Sequence, residues 1–201
     1  CGKHFPGYSM ASADPHHALS ALPRSRADME ANELAVFRHF APLVDSMMLG
    51  HIHYAALDPE PRPASLSPAV IGGLLRGEMG FRGLVMTDDL DMGAILNTTT
   101  FDDMLALGLA AGNDLLMICH RYQLLADARA VLEKQPRHLL DAALARVVAF
   151  KAKMAPPTPF DLAEFDKINR EIWDLRVAVL GEEIAARRSP ENGKRSPVEV
   201  Y

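Results

Sequence analysis

Gly83-Leu84-Val85-Met86-Thr87-Asp88-Asp89-Leu90 is a short apolar run that ends in two adjacent carboxylates. Three consecutive apolar residues after a glycine predict a strand buried on both faces, as in a parallel sheet covered by helices. In parallel α/β architectures ligands and catalytic groups collect at the C-terminal ends of the strands, so acids placed there are poorly explained by packing. The plainer alternative is a solvated turn before a helix, with Asp88 or Asp89 as its N-cap.

Outward from this stretch the chain keeps a beat of strand and helix. Residues 44–49, 84–86 and 115–118 are apolar runs, and their spacing of about 30–40 residues is that of a βα unit. Helical sequence follows each. Ser67 and Pro68 form a helix start before Val70, Ile71, Leu74 and Leu75, and Gly77 can close that helix. Thr100 and Gly112 bracket a second helix carrying Met104, Leu105 and Leu109. Residues 124–132 repeat the spacing, and Ser25 opens an earlier helix with Met29, Leu34 and Phe37. Strands that alternate with helices imply a parallel α/β sheet.

That sheet reads as incomplete. A (β/α)8 barrel takes about 250 residues, whereas this chain of 201 shows three strands and the stub of a fourth at residues 1–5. Cys1 opens the chain without an initiator methionine, which is expected of a truncated sequence. Further on, Leu139, Leu140, Leu144, Val147 and Val148 form one amphipathic helix, and Pro156-Pro157-Thr158-Pro159 interrupts the chain before a helix at 168–180. The expected division is 1–154 for the α/β domain, 155–188 for a linker and C-terminal helix, and 189–201 for a disordered tail rich in Ser, Pro, Asn, Gly and charge.

Composition narrows the function. A 49% hydrophobic content supports a sizeable core, and a net charge of -5 argues against general nucleic-acid binding, which needs a basic face. Two cysteines, Cys1 and Cys119, supply neither a disulfide framework nor paired metal ligands. No apolar run is long enough to span a bilayer. The compartment stays open, with the cytoplasm favoured.

Lys3-His4-Phe5-Pro6-Gly7 sits at the end of the first expected strand. A lysine and a histidine there can hydrogen-bond sugar hydroxyls or a phosphate, and Pro6-Gly7 turns the chain. Asp14-Pro15-His16 follows in the same loop. A carboxylate two residues from an imidazole can hold one ring nitrogen and leave the other for proton transfer.

Taken in order, Lys3-His4-Phe5-Pro6-Gly7, Asp14-x-His16, Met48-Leu49-Gly50-His51-Ile52-His53-Tyr54, the Leu74 to Gly83 segment and Thr87-Asp88-Asp89-Leu90-Asp91-Met92-Gly93-Ala94 resemble family 3 glycoside hydrolases of the β-N-acetylglucosaminidase type. The resemblance covers about the first 120 residues. It implies the second half of a (β/α)8 TIM barrel, from the end of strand five through strand eight, with extra C-terminal helices and a missing N-terminal half. It also implies retaining hydrolysis of a terminal β-linked N-acetylglucosamine from a saccharide, often in peptidoglycan recycling, without a cofactor or metal.

By that resemblance Asp88 is the nucleophile and Asp89 only its neighbour. His16 is the acid/base, positioned by Asp14, and Lys3 with His4 binds the sugar. The chemistry suits these groups, because retention needs a carboxylate on one face of the anomeric carbon and a proton donor for the leaving oxygen. The chain departs from the family pattern at Tyr8-Ser9, where the family has His-Gly, and at Pro15, where it has Ser. Two other readings stand beside this one: a metal-dependent barrel hydrolase with His51, His53 and Asp88 as ligands, and a non-catalytic carbohydrate-binding relative. Phosphorolysis is a variant within the family, since a histidine acid/base tolerates an anionic acceptor.

Overall fold

The structure is a computed structural model and describes residues 1–8 and 19–187. The chain resolves into a compact unit, Cys1–Lys153, and a smaller unit that begins at Met154.

The first unit runs β1 (Gly2–Phe5), β2 (Ser20–Leu22), α1 (Arg26–Ala31), α2 (Glu33–Phe40), β3 (Ser46–Leu49) and β4 (Ile52–Tyr54). A wide helix Ala69–Glu78 leads into β5 (Leu84–Asp89), then α3 (Gly93–Leu96), α4 (Phe101–Ala111), β6 (Leu115–Met117), α5 (Leu125–Leu132) and α6 (Arg137–Lys151). Four strands form one parallel sheet in the order β1-β3-β5-β6. Each sheet strand is separated from the next by helix, as the alternation of patterns requires.

The decisive stretch is a strand, and it runs further than its apolar residues. β5 includes Thr87, Asp88 and Asp89, so neither acid is a helix N-cap. One face of the sheet is sealed: Phe5, Leu49 and Val85 pack with Met29, Leu34, Ile71 and Leu75 in a core whose members are buried. The other face is partly open. Met48, Met86 and Leu115 stand side by side in register across β3, β5 and β6, and Leu115 is 39% exposed. Among the described residues, the strands are therefore not covered on both faces.

Local signals explain the helix ends. Ser25 accepts the Asp28 N–H and Thr100 accepts the Asp103 N–H, each satisfying a donor left free by the first turn. Gly112, at φ 111°, ends α4 in the left-handed region, where glycine carries no Cβ penalty. The helix expected from Ser25 is broken at Asn32, whose side-chain amide donates to the Asp28 carbonyl while its own N–H bonds Met29. Such local side-chain bonds compete with the helix ladder. The helix after Ser67 does not close at Gly77 but continues to Glu78 in wide turns, the Met79 N–H reaching back to Leu74, and the chain reverses at Gly80 with φ 68°.

A second, two-stranded parallel sheet pairs β2 with β4, Ser20 with Ile52 and Leu22 with Tyr54. At three residues each, these strands carry too little alternation to be read from sequence. A buried carboxylate locks the unit from below: Asp114 accepts from Arg76 at 2.8 Å, from Arg146 at 2.6 Å and from the Val85 N–H at 2.9 Å. It joins the wide helix, α6 and β5.

The second unit holds α7 (Leu162–Leu180) and α8 (Glu182–Ala185). Asp161 caps α7 by accepting from Ala163 and Glu164. Phe160 packs on Phe165 at 5.7 Å, a staple across the helix start. α7 thus begins earlier than the expected 168. The expected tail, 189–201, lies outside the described residues.

Candidate active site

Period-two alternation along β5 sends Asp88 and Asp89 to opposite faces. Asp88 lies in the row of Met86, on the open face, and its side chain keeps 20% exposure. One of its oxygens accepts the Asp89 N–H at 2.8 Å. The other stands 3.6 Å from His4 Nε2, beyond hydrogen-bond reach but close enough for charge to act.

Asp89 is buried and fully engaged. Its Oδ1 accepts the N–H groups of Asp91 and Cys119, and its Oδ2 accepts from His120 Nδ1 at 2.7 Å. Asp91 continues the pattern, accepting the N–H groups of His120 and Arg121 and the Arg121 Nε–H at 2.6 Å. Burial works to raise the Asp91 carboxyl, but these donors outweigh it and hold the group below the usual carboxylate range. Both acids thus fasten the turn after β5 to the turn after β6. Asp89, Asp91 and His120 offer ligand atoms within 4.8 Å of one another, yet most of those atoms already receive protein hydrogens. His120 finds its partner in Asp89.

His4 is brought to Asp88 by β1, beside Lys3, and the Lys3–His4 peptide is cis. Burial lowers the His4 pKa most, Asp88 opposes that effect, and Lys3 adds to it, with a net downward shift. The imidazole is therefore neutral at neutral pH and can either donate or accept a hydrogen bond to a hydroxyl. Lys3 is exposed within β1. Asp14 and His16 lie outside the described residues.

The metal reading on His51 and His53 fails on their hydrogen bonds. His51 is wholly buried; its Nε2–H donates to the Asp89 carbonyl at 2.8 Å and its Nδ1 accepts from Ser65 at 2.7 Å. Both nitrogens are spent, and burial holds this imidazole's pKa down, consistent with a neutral ring. His53 Nε2 donates to the Asp58 carbonyl at 2.9 Å. His51 thus ties the residues after β3 to the end of β5, and His53 ties β4 to the loop that follows it.

Two contributors escaped the sequence reading. His120 follows the end of β6, the same kind of strand-end position that marks Asp88 near the end of β5. Tyr8 left a trace only as a departure from a motif, yet its hydroxyl accepts the His51 N–H at 2.7 Å.

Comparison with known proteins points to one family. The family profile described as the glycosyl hydrolase family 3 N terminal domain matches residues 1–150. A beta-hexosaminidase of Alkalilimnicola ehrlichii is 38% identical over 120 residues, 59% of this chain and 34% of that protein. A beta-hexosaminidase of Aromatoleum aromaticum is 31% identical over 188 residues, 92% of this chain and 50% of its own length. Among solved structures, a glycoside hydrolase family 3 beta-N-acetylglucosaminidase from Paenibacillus sp. superposes with TM-score 0.74 at 34% identity, covering 80% of this chain and 32% of that one. The beta-glucoside phosphorylase BglX gives TM-score 0.69 at 26% identity, with 75% and 30% covered. This chain spans between 30% and 50% of the length of these relatives.

Proposed function

The chain belongs to glycosyl hydrolase family 3, and we propose that it supplies the nucleophilic half of a retaining β-N-acetylhexosaminidase. The observation that carries this reading is the contrast within one dipeptide: Asp89 is consumed by three protein donors, whereas Asp88 faces the open side of the sheet beside His4.

In the proposed reaction an Asp88 oxygen attacks the anomeric carbon of a terminal N-acetylglucosamine. The bond to the glycosidic oxygen breaks as His16, held by Asp14, gives that oxygen a proton. A glycosyl ester on Asp88 results. Neutral His16 then takes a proton from water, whose oxygen attacks the same carbon and returns Asp88 as carboxylate, with β configuration retained. Lys3 and His4 hold the sugar hydroxyls. The histidine donor suits this cycle because its ordinary pKa near 6.5 already lies close to neutrality.

Four parallel strands with two edges, β1 and β6, supply half of the eight a barrel needs. In this reading an N-terminal half completes the barrel and the sugar contacts, so the substrate is held between the two. Cell-wall material is proposed as the source of the saccharide, as the family resemblance implies. Residues 1–154 form the catalytic part, with the linker and C-terminal helix to 188 and a tail to 201 outside it.

Stereochemistry tests the reaction class. With an aryl β-N-acetylglucosaminide, NMR of the full-length protein's first product is expected to show the β-anomer before mutarotation. An α-anomer first, or no release, excludes a nucleophilic Asp88. The likeness to a β-glucoside phosphorylase favours phosphate as a second acceptor. Formation of the sugar 1-phosphate in phosphate buffer would assign that variant.

A further inference from the structure

We infer that Tyr8 is a positioning residue of the proposed site, one that seats His4 against Asp88 by occupying the space left open at Gly50. The inference rests on the roles proposed above for Asp88 and His4.

Tyr8 touches both sides of the gap it bridges. Its ring meets the His4 imidazole edge-on, with centroids 5.5 Å apart and planes at 76°. Its hydroxyl accepts the His51 N–H at 2.7 Å. His51 is wholly buried, and a buried N–H without an acceptor is costly. A hydroxyl supplied from the end of β1 thereby satisfies the backbone at the end of β3.

Gly50 is what makes the seat. A Cβ built there would stand 2.6 Å from Tyr8 Cε2 and 2.7 Å from its hydroxyl oxygen, inside any real contact distance. The requirement is close approach, not an unusual backbone angle. The same segment fastens the β1 turn at two further points: the Gly50 N–H donates to the Phe5 carbonyl at 2.8 Å, and the Tyr54 hydroxyl to the Gly7 carbonyl at 2.9 Å. Those bonds fix the backbone on either side of Pro6. Tyr8 adds a wall against the His4 ring itself, opposing any swing away from Asp88.

The test is a double-variant cycle in the full-length protein, reading kcat, KM and Tm with an aryl β-N-acetylglucosaminide. Tyr8→Ala is expected to lower kcat about tenfold or more with a smaller change in KM. Tyr8→Phe, which keeps the ring, is expected to recover most of that loss. Gly50→Ala is expected to match Tyr8→Ala alone and to add little in its presence, since the clash then has no ring to meet. Should Tyr8→Ala fail to fold, Tyr8→Phe and Gly50→Ala still decide: a Gly50→Ala enzyme with unchanged kcat overturns the inference. Additive losses in the cycle, or equal losses in Tyr8→Phe and Tyr8→Ala, overturn it as well. If Asp88→Ala kept turnover, the underlying functional reading would fall instead; a dead Asp88→Ala beside an unimpaired Tyr8→Ala sinks only the role given to Tyr8.

Discussion

His120 donates its Nδ1–H to Asp89 Oδ2 at 2.7 Å, tying the turn after β6 to the last residue of β5 across 31 positions of sequence. The adjacent Asp88 takes no part in that clamp. Two neighbouring acids are thereby separated into one that holds the fold and one left for chemistry.

The clamp predicts opposite phenotypes for the pair. Asp89→Ala should cost about 1.5–3 kcal/mol, the range for hydrogen bonds to a charged group, while Asp88→Ala should leave the unfolding midpoint nearly unchanged. Denaturant titration of both variants is the check. Equal destabilisation by the two would refute the division of labour.

Asp114 should matter more to stability than any other acid of the described structure. Its carboxylate is completely buried between Arg76 and Arg146, so Asp114→Ala strands two partly buried cations. We expect a loss of about 3–5 kcal/mol, as when one partner of a buried pair is removed. A fall below about 1 kcal/mol would show that the two arginines relax into solvent.

Stability should decline as pH falls below about 6.5, where an unfolded histidine begins to bind protons. Burial lowers the folded pKa of His51, and burial with Lys3 lowers that of His4 against the pull of Asp88. The unfolded chain therefore takes up more protons in that window and gains on the folded one. The contribution is full above 6.5 and is lost as pH drops toward the folded values. Asp91, whose folded pKa is depressed, acts in a separate window below its ordinary 3.8. Midpoints measured from pH 8 to pH 5 should slope downward, and less so in His51→Gln. A flat profile would contradict the neutral buried ring.

The acid role proposed for His16 predicts a dependence on leaving group. His16→Ala should slow an amide-like or sugar leaving group far more than an activated phenol, which departs with little protonation. Equal losses for both would remove His16 from that role.

Sequence alone displayed what is local. The apolar run before Asp88, the caps at Ser25 and Thr100 and the left-handed stop at Gly112 all depend on neighbours within a turn or a strand. Period two along residues 84–89 even separates Asp88 from Asp89 once the strand is known to extend that far. What stayed hidden is set by distant partners. Asp89 meets His120 over 31 residues, and Tyr8 meets His51 over 43; no spacing rule marks either pair. β2 and β4 are three residues each, and they exist because parallel pairing between them satisfies their backbone groups, not because their side chains alternate. Asn32 broke a helix that its apolar neighbours would have continued, since its amide found a nearer carbonyl.

The most direct measurement is a trapped intermediate. The full-length protein would be incubated with an activated 5-fluoro N-acetylglucosaminyl fluoride, digested and analysed by peptide mass spectrometry. A glycosyl adduct on the peptide containing Thr87-Asp88-Asp89, fragmenting to Asp88 and absent from Asp88→Ala, is the result expected of a nucleophilic Asp88. An adduct on Asp89, or on any residue outside β5, would contradict it.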